Sequence, residues 1–184
     1  MSTHQHYSRL NILFHWVMVA LLIAVYTCVL AHEAFPKDSE PRQLLMSLHF
    51  MLGVSVLFLV IFRIIAILVL PTPPIEPAPP KLQYAAARVI HVALYLFMLA
   101  MPMAGWLMLN GFGSAVPFYG LELPILMGEN EALAKDIKEV HETVGEAFYY
   151  VIGLHAIAAL FHHYVLRDNT LSRMLPWVKA RQRS

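Results

Sequence analysis

The charges of this chain are gathered into short stretches, and between them lie long apolar runs of about the length a bilayer demands. A hydrocarbon core about 30 Å thick takes roughly 20 helical residues. Lipid offers a backbone no hydrogen-bond partner, so each run must close its hydrogen bonds within a helix. Of 184 residues, 59% are hydrophobic and only 14% charged, where a soluble domain carries about 25% charged residues. The reading is an all-α integral membrane protein, a four-transmembrane-helix bundle forming one domain over residues 1–184. Its length leaves no room for a separate soluble catalytic module. The single cysteine, Cys28, excludes a disulfide within the chain and a cysteine-ligated iron–sulfur centre.

The first expected span, residues 10–31, follows the polar segment MSTHQHYSR. Its apolar run exceeds the 7–15 residues usual for a signal-peptide core, so it reads as a membrane helix. A short polar link leads to the second span, 44–70, and the proline-dense connector PTPPIEPAPPK should be stiff and extended. The third span is expected over 84–109, with Pro102 and Gly105 favouring a local kink. The longest connection runs from Asn110 to Lys138, Gly-rich and aromatic at first and acidic later. Its second half reads as an amphipathic lead-in to the fourth span, 139–166.

Lys and Arg set orientation. With both termini on one side, that side holds Arg9, Arg63, Lys81, Arg88, Arg167, Arg173, Lys179, Arg181 and Arg183. The other holds Lys37, Arg42, Lys135 and Lys138. Both termini are therefore expected to be cytoplasmic.

The spans also carry histidine. In the fourth, His141 and His155 are 14 residues apart, about 1400° of helix and about 21 Å of rise. They project from nearly one face at two depths. Bare imidazoles inside a bilayer are costly unless something binds them. His49 lies near the outer end of the second span and His15 near the inner end of the first. Two pairs follow by depth, His49 with His141 and His15 with His155, each able to supply both axial ligands of a b-type haem. His162 matches the depth of His15 at least as well as His155, and spacing leaves both open. Gly53 and Gly145 each fall four residues beyond an outer histidine, where a missing side chain lets a flat macrocycle approach the backbone.

Blander readings compete. Any one of these histidines is about as readily a hydrogen-bond partner of a neighbouring helix. A zinc or copper transporter would bring carboxylates or thiolates to the same depth, and the spans lack mid-membrane acids. The ten methionines read as packing, His4 and His6 as an exposed tail, and His32 as a loop residue without a role. A haem-free scaffold would leave the pairs purposeless.

Several segments together resemble the bacterial cytochrome b561 family of four-helix, dihaem membrane proteins. They are YSRLNILFHW (Tyr7 to Trp16), SLHFMLG (Ser47 to Gly53) followed by Arg63, LPTPP, ARVIHVALYL, KEVHETVG and, most specifically, GLHAIAALFHHYVLRDNTLSRMLP (Gly153 to Pro176). Leu70 departs from the family's tyrosine before PTPP and touches no site. Position by position, the resemblance implies haem-iron ligands at His15, His49, His141 and His155, which favours His155 over His162.

Some members of that family are superoxide oxidases. The resemblance therefore implies two haem b groups, with superoxide oxidised at the periplasmic face of the bacterial inner membrane and ubiquinone reduced within it. His162, with His91, Arg9 and Ser8, becomes a candidate quinone pocket; an interfacial His162–His163 pair reaching for water is the plainer reading. Lys37, Arg42, Lys135 and Lys138 become candidates for steering the anion. Acids outnumber bases on that side, which suits the alternative equally well: a cytochrome b subunit relaying electrons from a partner protein to the quinone pool. The expected partners are thus superoxide or a protein donor, ubiquinone and the lipid bilayer, with no nucleic acid.

Overall fold

The computed structural model describes residues 6–178; His4, Lys179, Arg181 and Arg183, used above for the tail and the charge balance, lie outside them. Four long helices dominate: α1 (Arg9–Ala31), α2 (Glu40–Val69), α3 (Lys81–Gly111) and α4 (Glu131–Phe161). All four are long and apolar enough to cross a membrane, as an all-α bundle requires. Their lipid-facing surface is made of side chains such as Leu68, Val69, Val89 and Tyr150, all exposed on the chain itself.

Local chemistry marks the helix ends. The Ser8 hydroxyl accepts from the Asn11 N–H at 3.2 Å, and Asn130 caps α4 by accepting from the Leu133 N–H at 3.1 Å. Pro41 sits in the first turn of α2, where a missing N–H costs nothing. Helix α4 starts at Glu131, ahead of Glu139, so the acidic stretch is a helical extension of the fourth span. At its other end α4 widens into a π-helical turn, His162–Leu166, which stops at Arg167 in a left-handed conformation (φ 57°). Helix α3 stays helical through Pro102 as far as Gly111.

Two segments fasten the ends of the bundle. Between α3 and α4, β1 (Val116–Phe118) and β2 (Leu121–Leu123) form an antiparallel hairpin with Phe118 opposite Leu121. Tyr119 and Gly120 both take positive φ, 49° and 86°, as a two-residue hairpin turn needs. At the opposite end the chain after Arg167 folds back. Asn169 holds the proline connector, accepting from the Glu76 N–H at 2.8 Å. The Trp16 indole donates to the Met174 carbonyl at 2.9 Å, and Arg173 donates to the Tyr7 hydroxyl at 3.0 Å.

The central core is Met18, Val56, Val60, Phe97 and Met98, with Phe148 stacked on Phe97 at 4.0 Å. Phe148 lies midway along α4 between His141 and His155, so this apolar layer separates two histidine levels. Helix packing joins α1 to α2, α2 to α3 and α3 to α4. Among the described residues, no Cα of α4 comes within 8 Å of one in α1 or α2. That gap is where the histidines meet.

Candidate haem sites

At one level His49 of α2 faces His141 of α4 across the gap, with ring centroids 6.3 Å apart and planes at 75°. The His49 Nδ1 lies 3.2 Å from the Val25 carbonyl oxygen. A carbonyl only accepts, so Nδ1 carries the proton and Nε2 keeps its lone pair for a metal. His141 leans on Gly105 of α3, where a Cβ would stand 3.4 Å from its Cε1. Gly105 is thus the seat of a histidine; its place in the sequence had suggested only a kink.

A cavity of about 590 Å³ opens between these rings, lined by Gly53, Gly105, Gly145, Val56 and Phe97 as well as both histidines. This is within the usual range for a cofactor site, about 300–1,000 Å³. A Cβ at Gly53 would meet nothing within 4 Å, and one at Gly145 only Met101 Cε at 3.7 Å. Both glycines leave room beside the backbone on the cavity wall.

At the second level His15 of α1 and His155 of α4 have ring centroids 6.5 Å apart, again at 75°. His91 of α3 stands against His155 at 5.1 Å. Imidazole nitrogens bind a metal at about 2 Å, so two rings that shared one iron would have their centres about 6 Å apart or slightly more. The His49–His141 and His15–His155 separations fit that figure; His91–His155 is too short. Both ring separations, and at the outer level the cavity, suit a haem held between the paired histidines.

The model of the prokaryotic cytochrome b561 family matches residues 6–177. The chain belongs to that family. It is 39% identical over 173 residues to a probable superoxide oxidase CybB of Yersinia pestis, covering 94% of this chain and 97% of that protein. Over 170 residues it is 34% identical to cytochrome b561 homolog 1 of Escherichia coli, covering 92% and 97%. A cytochrome b562 of Cereibacter sphaeroides is 28% identical over 179 residues, covering 95% and 98%. This cytochrome is therefore a multi-pass bacterial membrane protein that binds b-type haem and transfers electrons.

Of the candidate quinone residues, His162 has both ring nitrogens engaged. Its Nδ1 is 2.5 Å from Asp168 Oδ2 and its Nε2 is 3.2 Å from Gln83 Nε2. His163 is buried, with its Nδ1 unpartnered. Ser8 is occupied as a helix cap, and Arg9 is exposed. His91 faces His155. Among the described residues no hydrogen bond or ring contact joins any two of Ser8, Arg9, His91 and His162. Instead Tyr7 turns inward to Arg173, whose guanidinium lies 4.9 Å over its ring. Burial pulls the Arg173 pKa below its ordinary value, opposed by Tyr7, Asp168 and Tyr84. His6 is exposed, as a tail residue should be, and its Nδ1 also donates to the Ser172 carbonyl at 3.0 Å.

The four steering candidates separate into two groups. Arg42 and Lys138 line the cavity, beside Glu33, Glu142 and Glu146. Arg42 donates to the carbonyls of His32 and Phe35, and Lys138 pairs with Glu142 at 2.6 Å. Lys135 pairs with Glu131 on an exposed face, and Lys37 sits exposed in the link after α1. His32 also lines the cavity, which its position in a loop did not suggest.

Proposed function

We propose that the whole chain acts as one dihaem membrane domain that oxidises superoxide at the periplasmic face and reduces ubiquinone in the membrane, with both termini cytoplasmic. The observation that carries the reading is the pair of ring separations, 6.3 Å and 6.5 Å, at two levels of one bundle. The 39% identity to a probable superoxide oxidase supports the choice of donor.

Bound haem supplies one-electron redox chemistry. His49 and His141 would hold the outer group and His15 and His155 the inner one. Gly53 and Gly145, which leave room beside the backbone, would let the outer macrocycle approach the helix surfaces. The His49 hydrogen bond to Val25 fixes its ring and leaves Nε2 free. His162 has no lone pair to offer, since Asp168 holds one nitrogen and Gln83 the other, which favours His155 as the inner ligand. Arg42 would present positive charge beside the outer level, where an anion arrives, while Lys138 there is paired with Glu142. Two superoxide ions give up one electron each and leave as dioxygen; one ubiquinone gains both electrons and two protons. His91, beside the inner level, and the His162–Asp168 pair are the groups placed to handle those protons.

A second reading rests on the same cavity wall. Three carboxylates, Glu33, Glu142 and Glu146, face two cations there, and a cationic partner protein would dock on such a surface. In that case the chain is an electron-transfer subunit.

Purified protein in detergent, given a superoxide source and a soluble ubiquinone analogue, separates these. Quinone reduction abolished by superoxide dismutase is the expected result. Reduction of the haem only when a partner's extract is added supports the subunit instead.

A further inference from the structure

Arg63 is a guanidinium inside a membrane-spanning helix, buried to 8% exposure. Its Nε donates to the Tyr95 hydroxyl at 3.1 Å and its Nη1 to the Asn11 carbonyl at 3.3 Å. Both acceptors are neutral. Among the described residues no carboxylate pairs with it; the ion pairs there involve Lys135, Lys138 and His162. A buried charge without a counter-ion is costly, so its presence calls for a purpose.

Its position supplies one. Asn11 is one helical turn from His15 on α1, and Tyr95 one turn from His91 on α3. Through these two bonds the guanidinium is tied to the helices that carry His15 and His91, on the side of the bundle where His155 stands. Beside the His49–His141 level the balance is reversed, with three carboxylates lining the cavity against two cations, one of which is neutralised by Glu142.

We infer that Arg63 is a tuning residue, a fixed cation that favours the electron on the haem held by His15 and His155 and so gives transfer between the two levels its direction. The inference rests on the dihaem reading above. Reduction adds one negative charge to the group between those rings. A nearby cation in a low-dielectric layer stabilises that form over the oxidised one. The hydrogen bonds to Tyr95 and Asn11 hold the guanidinium in place, so no reorganisation is needed when the electron arrives.

The test is a potentiometric titration of the purified intact protein, followed in the visible haem bands. Arg63→Gln removes the charge, and Arg63→Lys keeps it. In Arg63→Gln one of the two reduction steps, the one missing from His155→Ala, should fall at least tenfold in equilibrium constant, 59 mV for a one-electron couple. The other step and the haem count should stay in place, and Arg63→Lys should keep most of the original value. If Arg63→Gln does not fold, Arg63→Met, which leaves no polar side chain unpartnered, carries the same expectation. Two haems with both steps unmoved in Arg63→Gln overturn the inference alone, as does a fall in Arg63→Lys equal to that in Arg63→Gln. Fewer than two haems per chain in the unaltered protein overturn the dihaem reading and this inference with it.

Discussion

His49 and His141, on the second and fourth helices, face each other across an interhelical gap with their ring centroids 6.3 Å apart. That gap exists because α4 packs closely on α3 and stands off from α1 and α2. A close-packed four-helix core would have filled it with side chains. On the dihaem reading a planar group would fill it, and the glycines on the cavity wall fit that reading.

Gly53 tests this directly. A Cβ there meets no protein atom within 4 Å, so Gly53→Ala should fold normally, while its methyl takes up room left for the macrocycle and should weaken haem binding at the His49–His141 level. Gly53→Phe projects a ring into the cavity and should cost the His49–His141 haem, halving the haem content while the other level's spectrum persists. Visible difference spectra of both variants check this.

Gly111 should behave in the opposite way. Its added Cβ would stand 2.9 Å from the Ala134 Cβ, a clash between two packed helices. Gly111→Ala should cost about 1–3 kcal/mol of stability, seen as a lower thermal midpoint. Its haem spectrum should not change, because the contact lies away from both ring pairs.

His155 and His162 lie seven residues apart and separate by spectrum. His155→Ala should lose one haem of two. His162→Ala should keep both, since it removes only the partner of Asp168 and Gln83. Its cost should be about 1–3 kcal/mol, because the buried Asp168 loses the partner of its Oδ2 while its Oδ1 keeps the Thr170 N–H.

Much of this was legible in the sequence, and the reason is periodicity. Four apolar runs can satisfy a bilayer only as helices, and the spacing of His141 and His155 puts them on one face whatever surrounds them. What stayed hidden depends on contacts between distant segments. The hairpin at Val116–Leu123 turns on Tyr119–Gly120, which lacks the Asn-Gly signature, and its strands are too short for an alternating pattern. Gly105 reads as a kink beside Pro102 until His141 is packed on it. The engagement of His162 depends on the chain reversing at Arg167 to bring back Asp168, which no spacing rule foresees. Arg63 is visible as a charge near the end of a span, but its lack of a carboxylate partner is a tertiary fact.

The two cations on the cavity wall bear on the donor. Lys138→Glu with Arg42→Glu should slow superoxide-driven quinone reduction on the order of tenfold at low salt, with the difference shrinking as ionic strength rises. Glu142→Gln should act in the opposite direction by freeing Lys138. Stopped-flow rates across a salt series read both effects.

The central claim is that two stacked bis-histidine levels each hold a haem. The ratio of haem to chain in the purified protein, by pyridine extraction with the low-spin signature read in parallel, tests it most directly. The account predicts two low-spin b haems per chain, with one lost in His141→Ala and the other in His155→Ala. A ratio of one, or two haems retained in either variant, would contradict it.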